Sequence, residues 1–181
     1  MVGKLVLSDG TEIDGKSFGD PTGIAGEVVF ATGMTGYPQA FTDPSFSGQI
    51  LVMTYPIIGN YGIPDQTLWE SDRLQIAGLI VSTYNDTPSH FESKITLSTW
   101  LKKEHIPALE IKDTRFLAER LREHGVMLGK IVFKKPIKDF DPNATNLVAN
   151  VSTKEVIKIT AGKKTVVILD CGAKKNILRC F

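Results

Sequence analysis

The stretch that decides the fold is residues 106–133, IPALEIKDTRFLAERLREHGVMLGKIVF. Both ends are apolar and contain β-branched residues, which is typical of strands, whereas the middle has the spacing of a helix. Asp113 is a favourable N-cap, Leu117 and Leu121 share one face, and Gly125 suits the position just after a helix. We therefore predict a strand, a helix and a strand, an alternation that favours an α/β fold built in layers.

The residues before this stretch add strands and a second helix. Asp9-Gly10 lies between two extended runs, which is a strong hairpin signal because both central residues of the favoured turn need positive φ. A helix is predicted from Thr96, because apolar residues follow it at helical spacing. The further predicted strands are residues 26–31, residues 49–55, which Pro56 ends, and residues 74–83, which are apolar enough to be buried on both faces.

The composition changes after the last of these strands. Residues 134–146 contain Pro, Asp and Asn and predict a loop, whereas the apolar run 164–170 predicts a buried strand and residues 174–179 the first turn of a helix. One strand and one turn cannot bury their own apolar faces, so we predict that they begin a second α/β domain of a longer protein. The predicted organisation is a first domain at 1–150, a linker at 151–163 and the truncated start of a second domain at 164–181.

Composition and charge exclude several classes of protein. The chain has 181 residues, of which 42% are hydrophobic and 23% charged, and its formal net charge is +1. Such a chain has no electrostatic attraction to nucleic acid or to an anionic membrane. No apolar run approaches the roughly 18 residues of a membrane span, and Asp9 makes the N-terminus acidic too early for a secretory signal. We therefore predict neither nucleic acid nor a membrane as a partner. Two cysteines, Cys171 and Cys180, form neither a zinc motif nor a disulfide framework and indicate a reducing compartment.

The motifs of common catalytic sites are missing from the chain. Gly162-Lys163 lacks the first glycine of a phosphate-binding loop, because Ile157 takes its place. Cys171 follows an apolar run, where a reactive thiol would sit, but Leu169 is too large for such a turn, and we interpret Cys171 as a small apolar residue. The three histidines lack the spacing of metal ligands: His90, His105 and His124. We therefore predict no catalytic, cofactor-binding or metal-binding residue in this chain.

One segment combines turn-forming residues with hydroxyl groups between two predicted strands. It is residues 33–48, GMTGYPQAFTDPSFSG. Loops of this kind present backbone N–H groups and hydroxyls to small polar ligands, but a long structural connection has the same composition. The residues alone leave both interpretations open.

An ordered set of motifs runs along nearly the whole chain. The motifs are GEVVF (26–30), TGMTGY (32–37), FTDPS (41–45), TYPIIGNYG (54–62), DTR (113–115), LREHG (121–125) and DCGAKKNILR (170–179). In this order they resemble the small, glutamine-dependent part of carbamoyl phosphate synthetase, and the last is similar to the opening of that family's glutamine amidotransferase domain. The stretches GIP (62–64) and TPSH (87–90) are similar to the eukaryotic branch of the family. In that branch the synthetase is fused with aspartate transcarbamylase and dihydroorotase in a multifunctional protein of pyrimidine biosynthesis.

The resemblance implies a fold and an activity. The implied fold is a three-layer β/β/α domain of the swivelling type, with mixed sheets and two main helices. The implied enzyme is a cytoplasmic, ATP-binding ligase that makes carbamoyl phosphate from glutamine, bicarbonate and two ATP, for pyrimidine or arginine biosynthesis. The family's nucleophile motif Gly-x-Cys-x-Gly and its His-x-Glu are absent from these residues, and Cys171 does not match the nucleophile. We therefore expect the chain alone to be inactive.

The resemblance also assigns one substrate-binding residue and the partners. Ser45, in the Asp-Pro-Ser motif, matches a family residue that touches bound glutamine at the junction of two domains. A hydroxyl and a backbone N–H at a turn suit the α-carboxylate of that substrate. The implied partners are glutamine, the glutaminase domain and the synthetase portion. The alternative is a purely structural docking domain without substrate contact, which a buried or remote Ser45 would favour.

Overall fold

The computed structural model describes residues 1–159 and 164–181, and most of its regular structure precedes residue 133. The strands are β1 (Val2–Leu7), β2 (Glu12–Ser17), β3 (Ile24–Ala31), β4 (Gln49–Ile58), β5 (Gly78–Tyr84), β6 (Ala108–Glu110) and β7 (Met127–Val132). The helices are α1 (Tyr37–Thr42), α2 (Leu97–Lys103), α3 (Thr114–His124), α4 (Leu147–Val151) and α5 (Lys175–Arg179).

The strands close into a mixed barrel in the order β1-β2-β6-β5-β4-β3-β7. The pairs β3–β4, β4–β5 and β5–β6 are parallel, and the remaining pairs are antiparallel. Strand β7 lies between β1 and β3, so the last strand in the sequence joins the first strand to the third. This closure leaves every strand of the barrel with two neighbours.

Two apolar clusters lie on opposite faces of β4 and β5. On one face, Leu51, Leu79 and other strand residues pack with α1 and α2, which contribute Phe41 and Trp100. On the other face the strands pack with α3 and with the far wall of the barrel, through Leu5, Ile50, Val52, Ile80, Leu117, Leu121 and Ile131. Because residues alternate across a strand, this pattern gives helix, sheet and second sheet layers. The predicted α/β class with mixed strands and two main helices, α2 and α3, is confirmed.

Local signals placed several elements correctly. Asp113 caps α3 by accepting a hydrogen bond at 2.8 Å from the N–H of Phe116, and Gly125 follows the helix with φ of 78°. The β1–β2 hairpin is present and Gly10 adopts φ of 86° in its turn, but Asp9 lacks the positive φ that the predicted turn requires; Thr96 caps α2. These caps and turns need only neighbouring residues, which explains why the sequence alone predicted them.

Three expectations were wrong. Pro56 does not end β4, which continues to Ile58, because its pairing with β5 shifts between Met53 and Ile57 and the missing N–H of proline falls in that irregular stretch. Residues 33–48 are not a continuous loop, since they contain α1 and a short 3₁₀ helix, Pro44–Phe46. Residues 164–170 form no strand and are mostly exposed.

Part of the predicted linker, residues 160–163, lies outside the described residues together with the Gly162-Lys163 pair. In the ranges 1–159 and 164–181, no helix has the length and apolar character needed to cross a membrane.

Candidate functional site

Ser45 lies in the short 3₁₀ helix between α1 and β4. Asp43 caps that helix: its Oδ1 accepts a hydrogen bond at 2.9 Å from the backbone N–H of Ser45. Ser45 is exposed, whereas Asp43 and Pro44 are buried. The N–H predicted to meet a substrate is therefore already bonded to Asp43, and the hydroxyl is the polar group of Ser45 that can reach a ligand. We call residues 43–47 the Ser45 turn.

Helix α1 fixes the position of this turn. Gly36 begins the helix in the left-handed region, with φ of 74°, and Pro38 occupies its first turn. The buried Tyr37 donates a hydrogen bond from its hydroxyl to the carbonyl of Gly62 at 2.9 Å and stacks on Tyr61 at a centroid distance of 4.2 Å. Burial raises the pKa of Tyr37 far above its usual range, so this hydroxyl stays protonated as a donor. The turn therefore follows a helix whose first residue, Tyr37, is held in place by its hydrogen bond and by ring stacking.

The other side of the turn is in contact with residues near the C-terminus. Lys174 Nζ lies 2.6 Å from Asp43 Oδ2. Gly172, at φ of 103°, has its backbone so close to the turn that an added Cβ would lie 3.3 Å from Pro44 Cβ. We call residues 164–181 the C-terminal segment. The Ser45 turn thus lies where the barrel meets this segment.

A carboxylate sets the shape of the segment at this contact. Asp170 Oδ1 accepts the backbone N–H groups of Gly172 and Ala173 at 2.8 and 2.7 Å, and Oδ2 accepts that of Thr153 at 2.7 Å. The N–H of Ala173, followed by that of Thr153, lowers the pKa of the Asp170 carboxyl below its usual range. Asp170 therefore holds the backbone of Thr153 close to that of Gly172 and Ala173, next to Lys174 at the turn.

Glu70 is a second acidic residue near the turn, and the sequence analysis did not identify it. Its backbone N–H donates to Thr42 Oγ1 at 2.9 Å, and its carboxylate lies against α5. In the sequence it is the second residue of WESDR (69–73), a mostly polar and charged run typical of a solvated surface. Its partners are more than 100 residues away, at Asn176 and Arg179, so no local signal identifies the pairing.

The remaining candidate residues lie at several places in the chain, and Cys171 directly precedes Gly172, whose backbone lies close to Pro44. Cys171 and Cys180 are both exposed free thiols. Among the histidines, His105 is exposed on the loop after α2, and His90 stacks beside Phe91 at a centroid distance of 4.6 Å. Within the described ranges, no three His, Cys, Asp or Glu side chains are grouped so that they could hold a metal ion. Ser45 therefore remains the candidate substrate contact.

The fold and this turn define the class of protein: an α/β barrel domain that presents a hydroxyl turn at its contact with a following segment. The family model described as "Carbamoyl-phosphate synthase small chain, CPSase domain" matches residues 5–131, and the chain belongs to that family.

Relatives match the chain over nearly its whole length. Carbamoyl-phosphate synthase [ammonia], mitochondrial, from Mus musculus is 48% identical over 97% of this chain and 12% of its own length. Multifunctional protein pyr1-3 of Dictyostelium discoideum is 42% identical over 99% of this chain and 9% of its own length. Multifunctional protein CAD of Squalus acanthias is 43% identical over 97% of this chain and 8% of its own length. The family resemblance is confirmed, and the chain spans about a tenth of the length of these relatives.

Proposed function

We propose that this chain is part of a carbamoyl-phosphate synthase that uses glutamine, bicarbonate and two ATP, and that it forms one wall of the glutamine site. The observation that carries the proposal is the place of Ser45, which is exposed on a fixed turn beside Gly172 and Lys174. These two residues belong to the motif that is similar to the opening of the amidotransferase domain. A substrate bound between the two parts would meet the Ser45 hydroxyl.

The charges at the turn are compatible with a ligand that carries a carboxylate. A free Asp43 would repel such a ligand, since two like charges a few ångströms apart cost free energy at low dielectric. Lys174 Nζ, 2.6 Å from Asp43 Oδ2, balances that charge. The Ser45 hydroxyl then donates to the α-carboxylate of glutamine in a charge-assisted hydrogen bond.

The second candidate function is structural docking without substrate contact. Relatives named for ammonia match 97% of this chain at 48% identity, so membership of the family does not by itself require glutamine. The contacts between the barrel and the C-terminal segment also suit a domain that holds its neighbours in place. In that case Ser45 belongs to the surface of the turn alone.

The experiment compares nitrogen donors in the intact synthase that contains this chain. Ser45→Ala is expected to raise the glutamine KM about 5- to 150-fold, because a polar group of the substrate loses its partner at a cost of about 1–3 kcal/mol. Carbamoyl phosphate synthesis from supplied ammonia is expected to stay unchanged. Ser47→Ala, the same change two residues along, is the matched control and is expected to leave both rates as they are.

Two other outcomes would favour the second candidate. No effect of Ser45→Ala with either donor means that the hydroxyl does not touch glutamine. Equal loss with both donors means that the substitution disturbs the contact with the synthetase portion.

The chain on its own is expected to show neither glutaminase nor synthetase turnover. We propose the cytoplasm as its compartment, whereas the Mus musculus relative is named mitochondrial.

A further inference from the structure

Asp43 and Glu70 are the two carboxylates that the barrel buries. Within residues 1–159 and 164–181, they are the acidic residues with less than a tenth of their surface exposed. A carboxylate withdrawn from water is unfavourable unless it is paired and hydrogen-bonded. Both are paired by side chains of one short stretch, residues 174–179, which we call the docked segment.

Glu70 receives the start of α5. Its Oε2 accepts the backbone N–H of Asn176 at 2.9 Å, and its carbonyl oxygen accepts that of Lys175 at 2.9 Å. Its Oε1 accepts a hydrogen bond from Arg179 Nη2 at 3.1 Å. The Glu70 side chain is 11% exposed and that of Arg179 is 39% exposed, so the carboxylate is shielded from water while its partner stays partly open to solvent and salt.

Arg179 occupies several acceptors at once. Besides Glu70, its Nη1 donates to the carbonyl oxygens of Thr67 and Trp69, each at 3.1 Å. A planar guanidinium presents its donors in a fixed fork, whereas a lysine ammonium is a single point charge and cannot reproduce this set. The contact is therefore specific in geometry as well as in charge.

Apolar burial contributes little to this contact. The apolar residues of α5, Ile177 and Leu178, remain partly exposed, and no residue of α5 is buried. A helix of five residues is also far too short to be stable by itself in water. Hydrogen bonds and ion pairs, with Asp43 and Glu70 as the buried partners, therefore hold the docked segment on the barrel.

Hydrogen bonds connect the two carboxylates, Asp43 and Glu70, to the Ser45 turn. Glu70 N–H donates to Thr42 Oγ1, and Ser71 Oγ donates to the Thr42 carbonyl at 2.6 Å, which fixes Glu70 beside the residue that precedes Asp43. Asp43 uses one oxygen for the N–H of Ser45 and the other for Lys174. A displacement of the docked segment would therefore also displace the Asp43 carboxylate, which orients Ser45.

We propose that Asp43 and Glu70 form an acidic docking site for residues 174–179 and act as positioning residues for the Ser45 turn. The docking holds residues 174–179 against the barrel and keeps the charge of Asp43 balanced by Lys174. The role of the Ser45 turn in binding glutamine rests on the proposed function, whereas the docking of residues 174–179 does not.

The test is amide hydrogen exchange of Lys175 and Asn176 in the intact synthase that contains this chain. Glu70→Gln and Arg179→Gln are each expected to speed exchange of these two amides roughly tenfold to a hundredfold, because each removes one partner of a shielded, charge-assisted contact. Arg179→Lys is expected to give an intermediate rate. Asp72→Asn is the matched control: Asp72 also pairs with the segment, through Lys175, but its side chain is 85% exposed, so less than about a fivefold change is expected.

The double variant E70Q/R179Q separates a specific pair from general attraction. It is expected to speed exchange by less than the product of the two single effects, because both single variants remove the Glu70–Arg179 pair while each also removes contacts of its own. If Glu70→Gln also speeds hydrogen exchange of the β5 amides, that substitution has destabilised the barrel. Arg179→Gln, which leaves the barrel sequence intact, then decides whether the docking site exists. Unchanged exchange in Arg179→Gln, or an effect of Asp72→Asn as large as that of Glu70→Gln, would overturn the docking site. The Ser45 amide reports the positioning role: Asp43 Oδ1 accepts it, so it is expected to exchange faster in Arg179→Gln as well, and an unchanged Ser45 amide would overturn that role. Since no readout involves glutamine, these results are independent of the effect of Ser45→Ala on the glutamine KM.

Discussion

Strand β5 and residues 166–169 have similar sequences and different structures. Leu79, Ile80 and Val81 of β5 are completely buried between β4 and β6. Val166, Val167, Ile168 and Leu169 are just as apolar and β-branched, yet they form no strand and are exposed. A strand forms where neighbours supply hydrogen bonds and burial, so residue type alone is not sufficient.

The largest expected difference between the two regions is in their contribution to stability. Leu79→Ala removes a side chain that is 0% exposed and is expected to lower the free energy of unfolding by about 2–5 kcal/mol. Leu169→Ala, the same chemical change at a residue that is 90% exposed, is expected to change it by less than about 0.5 kcal/mol. Urea unfolding followed by fluorescence of Trp69 and Trp100 measures both. A cost above about 1 kcal/mol for Leu169→Ala would show that the C-terminal segment is buried in solution.

Ionic strength is expected to separate the regions less strongly. Raising salt from about 0.1 M to about 1 M shortens the Debye length from about 10 Å to about 3 Å. The amides of Lys175 and Asn176 are expected to exchange about two- to fivefold faster, because ion pairs such as Lys174–Asp43 hold the docked segment. The amides of β5, held by apolar burial, are expected not to accelerate. Equal acceleration in both regions would contradict the distinction.

The smallest expected effect is a titration of Asp170 that is seen at the backbone amides bonded to it. Hydrogen bonds lower the pKa of Asp170 in the folded chain, so its stabilising contribution is complete above the unfolded value of about 3.8 and is lost as pH falls through the folded pKa. NMR shifts of the Thr153 and Ala173 amides are expected to titrate together with a midpoint below 3.8. Asp170→Asn is expected to abolish that shared midpoint. A midpoint at or above 3.8 in the unsubstituted chain would mean that these bonds are absent in solution.

Local rules explain what the sequence predicted correctly. The Asp113 cap, the Gly125 stop and the Asp9-Gly10 hairpin depend on residues a few positions apart, and all were predicted. The continuation of β4 through Pro56 depends on a register shift against β5, which no local pattern reveals. The strand expected at 164–170 failed because its sequence satisfies strand propensity without a partner in the described residues.

The candidate site shows the same division. Ser45 was identified through a motif shared with a family, and the structure adds that its N–H is already bonded to Asp43. Glu70 was missed because WESDR looks like solvated surface, and its burial depends on Arg179, 109 positions later. Pairings over such distances depend on the tertiary fold and leave no periodic signal in the sequence.

The position of β7 between β1 and β3 has a consequence for the order in which a ribosome completes the barrel. β1 and β3 each have an unpaired edge until Met127–Val132 has been synthesised, by which time β1 is some 120 residues upstream. Contacts over such separations form slowly, and open edges attract other strands meanwhile. The nascent chain is therefore most exposed to aggregation just before β7 emerges, and barrel closure is expected to be its last folding step.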